Sequence, residues 1–123
     1  MGSDVEHLFV YGTLAPNRPN HHIMTPIDGT WQVATTKGYL HAQGWGVTQG
    51  YPALIPDEQG EVVHGFVFSS DKLCEHWQRL DAFEGVEYQR KPIVVTLTDG
   101  QTLTAFVYAL ADKTAALIDN RSF

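Results

Sequence analysis

The sequence predicts an α+β fold in which a curled, mostly antiparallel sheet or barrel carries one main helix. Short runs rich in β-branched and aromatic residues recur along the chain, and glycine or proline separates most of them. Between these runs, one segment places apolar residues at helical spacing. Many strands with a single good helix among them are typical of α+β proteins rather than of alternating α/β units.

The first two predicted strands flank a loop and one helical turn. Leu8–Tyr11 is a short apolar run that ends at a glycine, which indicates a buried strand. His21–Met24 has the length of one helical turn. Thr30–Ala42 is rich in threonine, valine and aromatic residues and predicts a strand, which we expect to be interrupted near Gly38.

Two further strands are predicted before the helix. Ala53–Ile55 lies between Pro52 and Pro56, and we expect an edge strand at best because proline cannot donate to a ladder. Val62–Phe68 is β-branched and aromatic, and it predicts a second clear strand.

The main helix is predicted from capping residues and from one apolar face. Ser69 or Ser70 is a suitable N-cap, and Asp71 would fall in the first turn. Gly85 is well placed to end the helix in the left-handed conformation. The apolar residues at positions i, i+4 and i+7 are Leu73, Trp77 and Leu80.

The last part of the chain predicts a hairpin. Ile93–Leu97 and Leu103–Leu110 have strand composition, and Thr98–Gly100 between them contains the Asp-Gly pair that favours tight turns. A short helix is expected over Asp112–Ile118.

Length and charge exclude several classes of protein. The chain has 123 residues, so we expect a single domain over 1–123 with a loose N-terminus over 1–6. Its net charge of −6 argues against nucleic-acid or basic membrane-surface binding. No apolar run reaches the ~20 residues of a membrane span, and we expect a cytoplasmic protein.

Cysteine and histidine do not predict a metal site. Cys74 is the single cysteine and lies in the helical pattern, so we expect a buried structural thiol. The six histidines show no metal-ligand spacing, and we expect them at the surface or hydrogen-bonded in the core. No metal and no cofactor are therefore expected.

Two segments carry possible chemistry. Phe9–Leu14 runs from a buried strand into a glycine, and backbone N–H groups beyond such a strand can hold a carboxylate or an oxyanion, although an ordinary strand end has the same pattern. Glu84 sits in the last predicted helical turn. The helix end and partial burial would raise its pKa and favour a general base, while a solvated helix-end acid is the alternative.

Together these motifs resemble the γ-glutamylcyclotransferase-like family, in particular its small bacterial members and γ-glutamylamine cyclotransferase. The resemblance extends from about residue 8 to 110. It rests on the order and spacing of Val10–Leu14, Pro19–His21, Gly50–Ala53, Leu80–Gly85 and Tyr88–Arg90.

The resemblance implies a small mixed β-barrel with short flanking helices and a cavity beside it. It implies Glu84 as the catalytic general acid/base. It implies that the substrate is held by Tyr11, Gly12, Thr13 and Leu14.

Tyr88 and Arg90 follow the helix-end motif, and the resemblance extends substrate binding to them. Tyr88 would line the pocket or simply pack. Arg90 would anchor a carboxylate or lie at the surface of its strand.

The activity that the resemblance implies is release of an amine from a small γ-glutamyl compound, with formation of 5-oxoproline. This lyase- or acyltransferase-type cyclisation needs no cofactor, because the α-amine of the substrate is the nucleophile. Two alternatives stay open. One is a non-catalytic module of the same fold that binds a small ligand, and the other is an enzyme that removes a γ-glutamyl protecting group from a biosynthetic intermediate.

Overall fold

The computed structural model describes residues 5–12, 15–16, 21–41, 53–84 and 88–110. Within these ranges the chain forms six strands, one α-helix and two short 3₁₀ helices, His21–Ile23 and Leu73–Glu75. The strands are β1 Glu6–Val10, β2 Thr30–His41, β3 Ala53–Pro56, β4 Glu61–Ser70, β5 Tyr88–Leu97 and β6 Thr102–Leu110, and the helix is α1 Trp77–Glu84. The predicted α+β class is confirmed.

The six strands form one sheet that closes on itself. Hydrogen-bonded neighbours follow the order β1–β4–β2–β3–β6, and β6 returns to pair with β1. β5 pairs with β6 along its length and joins β2 near its end. β6 runs parallel to β1 and β3, and the other pairings are antiparallel. The molecule is therefore the small, mixed, mostly antiparallel barrel that the sequence predicts.

Side-chain alternation along the strands divides the apolar residues into two clusters. One cluster takes residues from all six strands and fills the barrel: Phe9, Ala34, Leu54, Val63, Val67, Val95, Ala105, Val107 and Ala109. The other joins the outer face of the strands to the helical segments: Leu8, Val10, Ala15, Met24, Ile27, Phe68, Leu73, Trp77, Leu80 and Tyr108. This second cluster holds α1 against the barrel.

β2 runs unbroken through Gly38, so the predicted interruption there is wrong. Gly38 pairs with Pro56 of β3 and with Glu61 of β4. A Cβ atom at this position would lie 2.5 Å from the carbonyl oxygen of Ile55. Glycine here allows three strands to approach closely rather than ending one of them.

β3 is an internal strand, and the prediction of an edge strand at best is wrong. It pairs antiparallel with β2 on one side, and Leu54 pairs parallel with Ala109 of β6 on the other. Pro56 is the last residue of β3, so its missing N–H falls at the end of the ladder. Local composition indicates the proline at the end of the strand. It carries no information on β6, the second neighbouring strand, whose pairing with β3 helps to close the barrel.

The helix begins later than the sequence predicts. β4 continues through Ser69 to Ser70, so neither serine caps α1. The Ser70 hydroxyl instead accepts a hydrogen bond from the Lys72 N–H at 2.9 Å and donates one to the carbonyl of Asp28. A 3₁₀ turn then precedes α1, and the serine ties the end of β4 to the loop before β2.

The predicted apolar face of the helical segment is confirmed. Leu73, Trp77 and Leu80 are all buried against the barrel. Cys74, which we expected to be buried, is exposed. Cys74 lies in the 3₁₀ turn rather than in a regular helix, so its side chain faces away from that of Leu73, the buried residue before it.

The predicted hairpin between β5 and β6 is confirmed. Gly100 has a φ of 89°, which glycine adopts readily. The Asp99 side chain accepts a hydrogen bond from the Gln101 N–H at 3.0 Å, and the Leu97 N–H donates to the Gln101 carbonyl at 2.8 Å. This turn fixes the register of the whole β5–β6 pair.

Some predicted features lie outside the described residues. These are the helix over Asp112–Ile118, the helix end at Gly85 and the loop residues Thr13 and Leu14. Of the segment 1–6, the structure describes Val5 and Glu6, and Glu6 is the first residue of β1.

Candidate active site

Glu84 is the last residue of α1, and its side chain is partly buried. Burial raises the pKa of its carboxyl from 4.5 to about 7, because loss of water disfavours the charged form. The carbonyl end of the helix acts in the same direction. Within the part of the chain that the structure describes, no hydrogen bond or ion pair offsets its charge. Glu84 is therefore able to exchange a proton near neutral pH.

Tyr11 follows β1, and its hydroxyl joins two strands. It donates to the Tyr108 carbonyl and accepts from the Leu54 N–H, both at 2.8 Å. Burial raises the pKa of Tyr11 above its ordinary value, and the Leu54 N–H opposes this change. Charges on Tyr88 and Glu84 raise the same pKa further, which places both groups within electrostatic reach of the Tyr11 hydroxyl.

Asp81 lies one helical turn before Glu84 and has three donors. The Tyr108 hydroxyl donates to its Oδ1 atom at 2.6 Å, while Arg90 donates through Nε at 3.0 Å and through Nη2 at 3.2 Å. Burial alone would raise the pKa of Asp81. The hydrogen bonds from Arg90 and Tyr108, with the charge of Arg90, hold this pKa below its ordinary value of 3.8.

The Tyr108 phenol stays protonated beside these acids. Burial is the main cause that raises its pKa, and the hydrogen bond to Asp81 and the charge of Asp81 add to it. The charge of Arg90 opposes this change and that of Glu84 adds to it. Tyr108 thus acts as a neutral hydrogen-bond donor to Asp81 and lies within electrostatic reach of Glu84.

Arg90 is fixed by stacking as well as by its ion pair. Its guanidinium carbon lies 4.3 Å from the centre of the Trp77 ring and 5.3 Å from that of Phe106. The Trp77 indole N–H in turn donates to Glu6 of β1 at 3.0 Å. The guanidinium that the resemblance implies for substrate binding is thus directed at Asp81.

The structure brings together three of the site residues that the sequence predicted. Tyr11, Tyr88 and Glu84 lie within electrostatic reach at the end of β1, the start of β5 and the end of α1. Gly12 follows directly, and a Cβ built on it would meet no described atom within 4 Å. No described residue therefore occupies the space beside the backbone at Gly12.

Sequence reasoning gave no role to Asp81 or Tyr108. Two features of the sequence could have pointed to these residues. Asp81 is three residues before Glu84, so both lie on one side of a helix. Counting eight residues outward from each end of the predicted turn Thr98–Gly100 pairs Arg90 with Tyr108, as the structure does.

A separate groove lies where β2 and β5 diverge. It has a volume of about 710 Å³ and is lined by residues such as Thr36, Asp57, Ile93 and Val94. None of the predicted site residues lines it. We therefore place the candidate active site beside Glu84 and not in this groove.

No group of three or more histidine, cysteine, aspartate or glutamate side chains in the described ranges is arranged to hold a metal ion. No described helix combines the length and apolar character needed to cross a membrane.

The fold and site define a small barrel protein with one partly buried acid at the end of its helix. The model of the family described as gamma-glutamyl cyclotransferase, AIG2-like, matches residues 8–122. The chain therefore belongs to this family, and the resemblance noted in its motifs is confirmed.

Individual relatives agree with this assignment. The chain is 35% identical over 101 residues to the putative gamma-glutamylcyclotransferase YkqA of Bacillus subtilis, covering 82% of this chain and 34% of that protein. It is 30% identical over 125 residues to gamma-glutamylaminecyclotransferase of Rattus norvegicus, covering 85% and 78%. Thus the chain spans about a third of YkqA and most of the rat protein.

A solved structure shares the fold. The crystal structure of an AIG2-like protein from Mus musculus superimposes with a TM-score of 0.71 at 28% identity. The superposition covers 87% of this chain and 78% of the mouse chain.

Proposed function

We propose that this protein is a γ-glutamyl cyclotransferase-type enzyme that releases an amine from a γ-glutamyl compound and forms 5-oxoproline. Membership of the family supports the type of reaction. The observation that carries the proposal is Glu84, a partly buried carboxyl with a pKa raised to about 7 beside the end of β1. A carboxyl in this state is suited to accept and return a proton at neutral pH.

The reaction is an intramolecular acyl transfer. The α-nitrogen of the glutamyl group bonds to the side-chain carbonyl carbon, and the bond from this carbon to the departing nitrogen breaks. Over the cycle two protons pass from the α-nitrogen to the leaving amine. The two reacting atoms are already joined within the substrate, so the enzyme's contribution is to fix the rotatable bonds between them in the reactive geometry.

Glu84 is the proposed general acid/base. The α-ammonium group cannot attack until it loses a proton, and the Glu84 carboxylate would accept that proton. The protonated carboxyl would then donate to the departing nitrogen. The second proton, which the α-nitrogen loses after it has attacked, would follow the same route, so that Glu84 ends in its starting state. Because the same group serves in both directions, a pKa close to the working pH favours each step.

The end of β1 is the proposed anion-binding wall. Backbone N–H groups from Gly12 to Leu14 would stabilise the oxyanion of the tetrahedral intermediate and hold the α-carboxylate. The Thr13 hydroxyl would orient the glutamyl group. The donor of the Tyr11 hydroxyl is already used by Tyr108, so Tyr11 would contribute through its ring and backbone.

Tyr88 and Arg90 have unequal parts in this proposal. Tyr88 lies close enough to influence the Tyr11 hydroxyl and would form one side of the pocket. Arg90 already makes a bidentate pair with Asp81. It would therefore support the site by holding Asp81 of α1 in place rather than bind the substrate directly.

The test is detection of 5-oxoproline across a panel of γ-glutamyl amines, γ-glutamyl peptides and γ-glutamyl-ε-lysine. We expect repeated turnover on at least one member, above the rate without enzyme, and the preferred member identifies the leaving amine. Calorimetry with the same panel runs in parallel. Binding without product formation would contradict the proposal and support the non-catalytic module.

A further inference from the structure

We propose that Asp81 is a positioning residue that fixes the last turn of α1, and so the Glu84 carboxyl, against β5 and β6. The proposal rests on the function proposed above for Glu84. Asp81 takes no part in the proton transfers. Its effect is to hold the reacting carboxyl in one place relative to the end of β1.

The contacts of Asp81 reach two strands at once. Both of its oxygens face the fork of Arg90 on β5, and Oδ1 also receives the Tyr108 hydroxyl of β6. Arg90 and Tyr108 are opposite each other in the β5–β6 ladder. One carboxylate on α1 is therefore held by a cross-strand pair, which limits both sliding and rotation of the helix end.

Tyr108 extends the connection to the other wall of the site. Its side chain donates to Asp81, while its backbone carbonyl accepts from the Tyr11 hydroxyl, which in turn accepts from the Leu54 N–H. The helix end that carries Glu84 and the strand end that leads to Gly12 thus share one residue as their support. The distance between the proposed base and the proposed anion-binding wall depends on this chain of contacts.

A short helix needs such an anchor. α1 has eight residues, and isolated helices of this length are unstable in water. Trp77 and Leu80 bury the first part of the helix, whereas Asp81, Ala82 and Phe83 are exposed. Beyond Leu80, the hydrogen bonds of Asp81 to Arg90 and Tyr108 tie the helix to the sheet.

The effect of Asp81 on stability is expected to be small. Its side chain is 44% exposed and that of Arg90 is 27% exposed, and ion pairs this open contribute little to folding. Displacement of a reacting group by about 1 Å, in contrast, can lower a rate about 100-fold. Activity and stability should therefore respond differently to the loss of this carboxylate.

The experiment compares four variants of the full chain. Asp81→Ala removes every contact of the carboxylate. Asp81→Asn removes the same charge but keeps an oxygen that accepts from Tyr108. Tyr108→Phe keeps the ion pair and removes the donor. Arg79→Ala is the matched control, because Arg79 also ties α1 to a loop, through the Ile23 carbonyl at 2.9 Å, but lies before Asp81.

Two readouts are taken on each variant. Steady-state kinetics give kcat and KM for 5-oxoproline release. A ¹³C NMR titration of labelled glutamate carboxyls gives the pKa of Glu84, with its signal assigned by comparison with Glu84→Gln. Among the described residues, the titratable and charged groups around it are Tyr11 just after β1, Asp81 on α1, Tyr88 and Arg90 on β5, and Tyr108 on β6.

For Asp81→Ala we expect kcat to fall about 100-fold with KM changed less than about threefold, and the pKa of Glu84 to fall from about 7 towards 4.5. Asp81→Asn should keep most of kcat and of the raised pKa. Tyr108→Phe should give an intermediate loss. Arg79→Ala should leave both readouts as in the wild type.

Two results would overturn the positioning role. One is an equal change of the Glu84 pKa in Asp81→Asn and Asp81→Ala, which would show that charge matters and position does not. The other is an unchanged pKa in Asp81→Ala. If the wild type releases no 5-oxoproline, the proposed function fails, and the titration still decides whether Asp81 positions Glu84.

Discussion

Two carboxylates one turn apart on α1 have opposite electrostatic surroundings. Asp81 is exposed yet has a lowered pKa, because Arg90 and Tyr108 outweigh the effect of its burial. Glu84 is less exposed and has a raised pKa, because burial acts on it without a described donor to offset it. Burial and the presence of donors, more than position on the helix, thus decide which acid stays charged.

If Glu84 is the general acid/base proposed above, the two acids divide support and catalysis between residues 81 and 84. An acid held charged by three hydrogen bonds from two residues is a poor base and a good anchor. An acid whose charge is opposed by its surroundings is a good base near neutrality and a poor anchor. The following predictions test this division, starting with the largest expected effect.

Glu84→Gln should remove nearly all cyclotransferase activity and keep the fold. Loss of a general acid/base lowers rates by about 10²–10⁴-fold, and glutamine has the same shape without the exchangeable proton. 5-Oxoproline release is measured at equal folded fraction, which circular dichroism checks. Near-normal release by this variant would show that Glu84 is not the general acid/base. The contrast between the two acids would then have no bearing on catalysis.

Tyr11→Phe should destabilise the protein by about 1–3 kcal/mol, because the buried Leu54 N–H and Tyr108 carbonyl would each lose a partner. Urea unfolding measures the change. Tyr39→Phe is the control, since its exposed hydroxyl lies 3.4 Å from the Gln59 carbonyl. Equal loss in both variants would contradict a special role of Tyr11 in joining the two walls of the site.

Gly12→Ala should change stability by less than about 0.5 kcal/mol, because the added methyl group meets no described atom within 4 Å. If the substrate lies against this backbone, the methyl group should raise KM about tenfold or more and leave the pKa of Glu84 unchanged. Kinetics and urea unfolding give both values. An unchanged KM would argue against the end of β1 as the substrate-binding wall.

The two acids should also give opposite and smaller trends of stability with pH. Glu84 binds its proton more tightly in the folded state, so stability should fall as pH rises from 4.5 to about 7 and then level off. Asp81 binds its proton less tightly when folded, so its contribution should be present above pH 3.8 and be lost below it. The contributions are modest because both groups contact solvent.

Urea unfolding across this pH range measures the trends. Glu84→Gln should abolish the decline between pH 4.5 and about 7 and leave the acid side unchanged. Asp81→Asn should weaken the loss on the acid side alone. The same pH profile in both variants would contradict the opposite pKa shifts of the two acids.

Local sequence patterns predicted most of the strands and the helix, but not how the strands pair to close the barrel. The Asp-Gly turn fixed the β5–β6 hairpin, and the apolar spacing fixed the buried face of the helical segment. The second neighbour of β3 and the parallel return of β6 to β1 join residues far apart in the chain, and composition carries no signal for such pairs. These pairings explain why Ala53–Ile55 was mistaken for an edge.

The candidate site, like the fold, could be predicted from the sequence only in part. Glu84 and Tyr11 were predicted as site residues from motif and position, and the structure places them within electrostatic reach of each other. Asp81 and Tyr108 were missed because a half-exposed aspartate and a strand tyrosine resemble ordinary surface and core residues. Their proposed role depends on the contact between α1 and the β5–β6 pair, which is visible only in the folded chain.

The parallel pairing of β1 with β6 has a consequence for how the protein is made. The Tyr11–Tyr108 hydrogen bond spans 97 residues, so the barrel cannot close until β6 has left the ribosome. Folds dominated by such distant contacts form slowly. Glu84 precedes β6 in the chain, so the nascent protein exposes this acid before its surroundings exist. Proton-transfer chemistry at Glu84 would therefore appear late in synthesis, together with closure of the barrel.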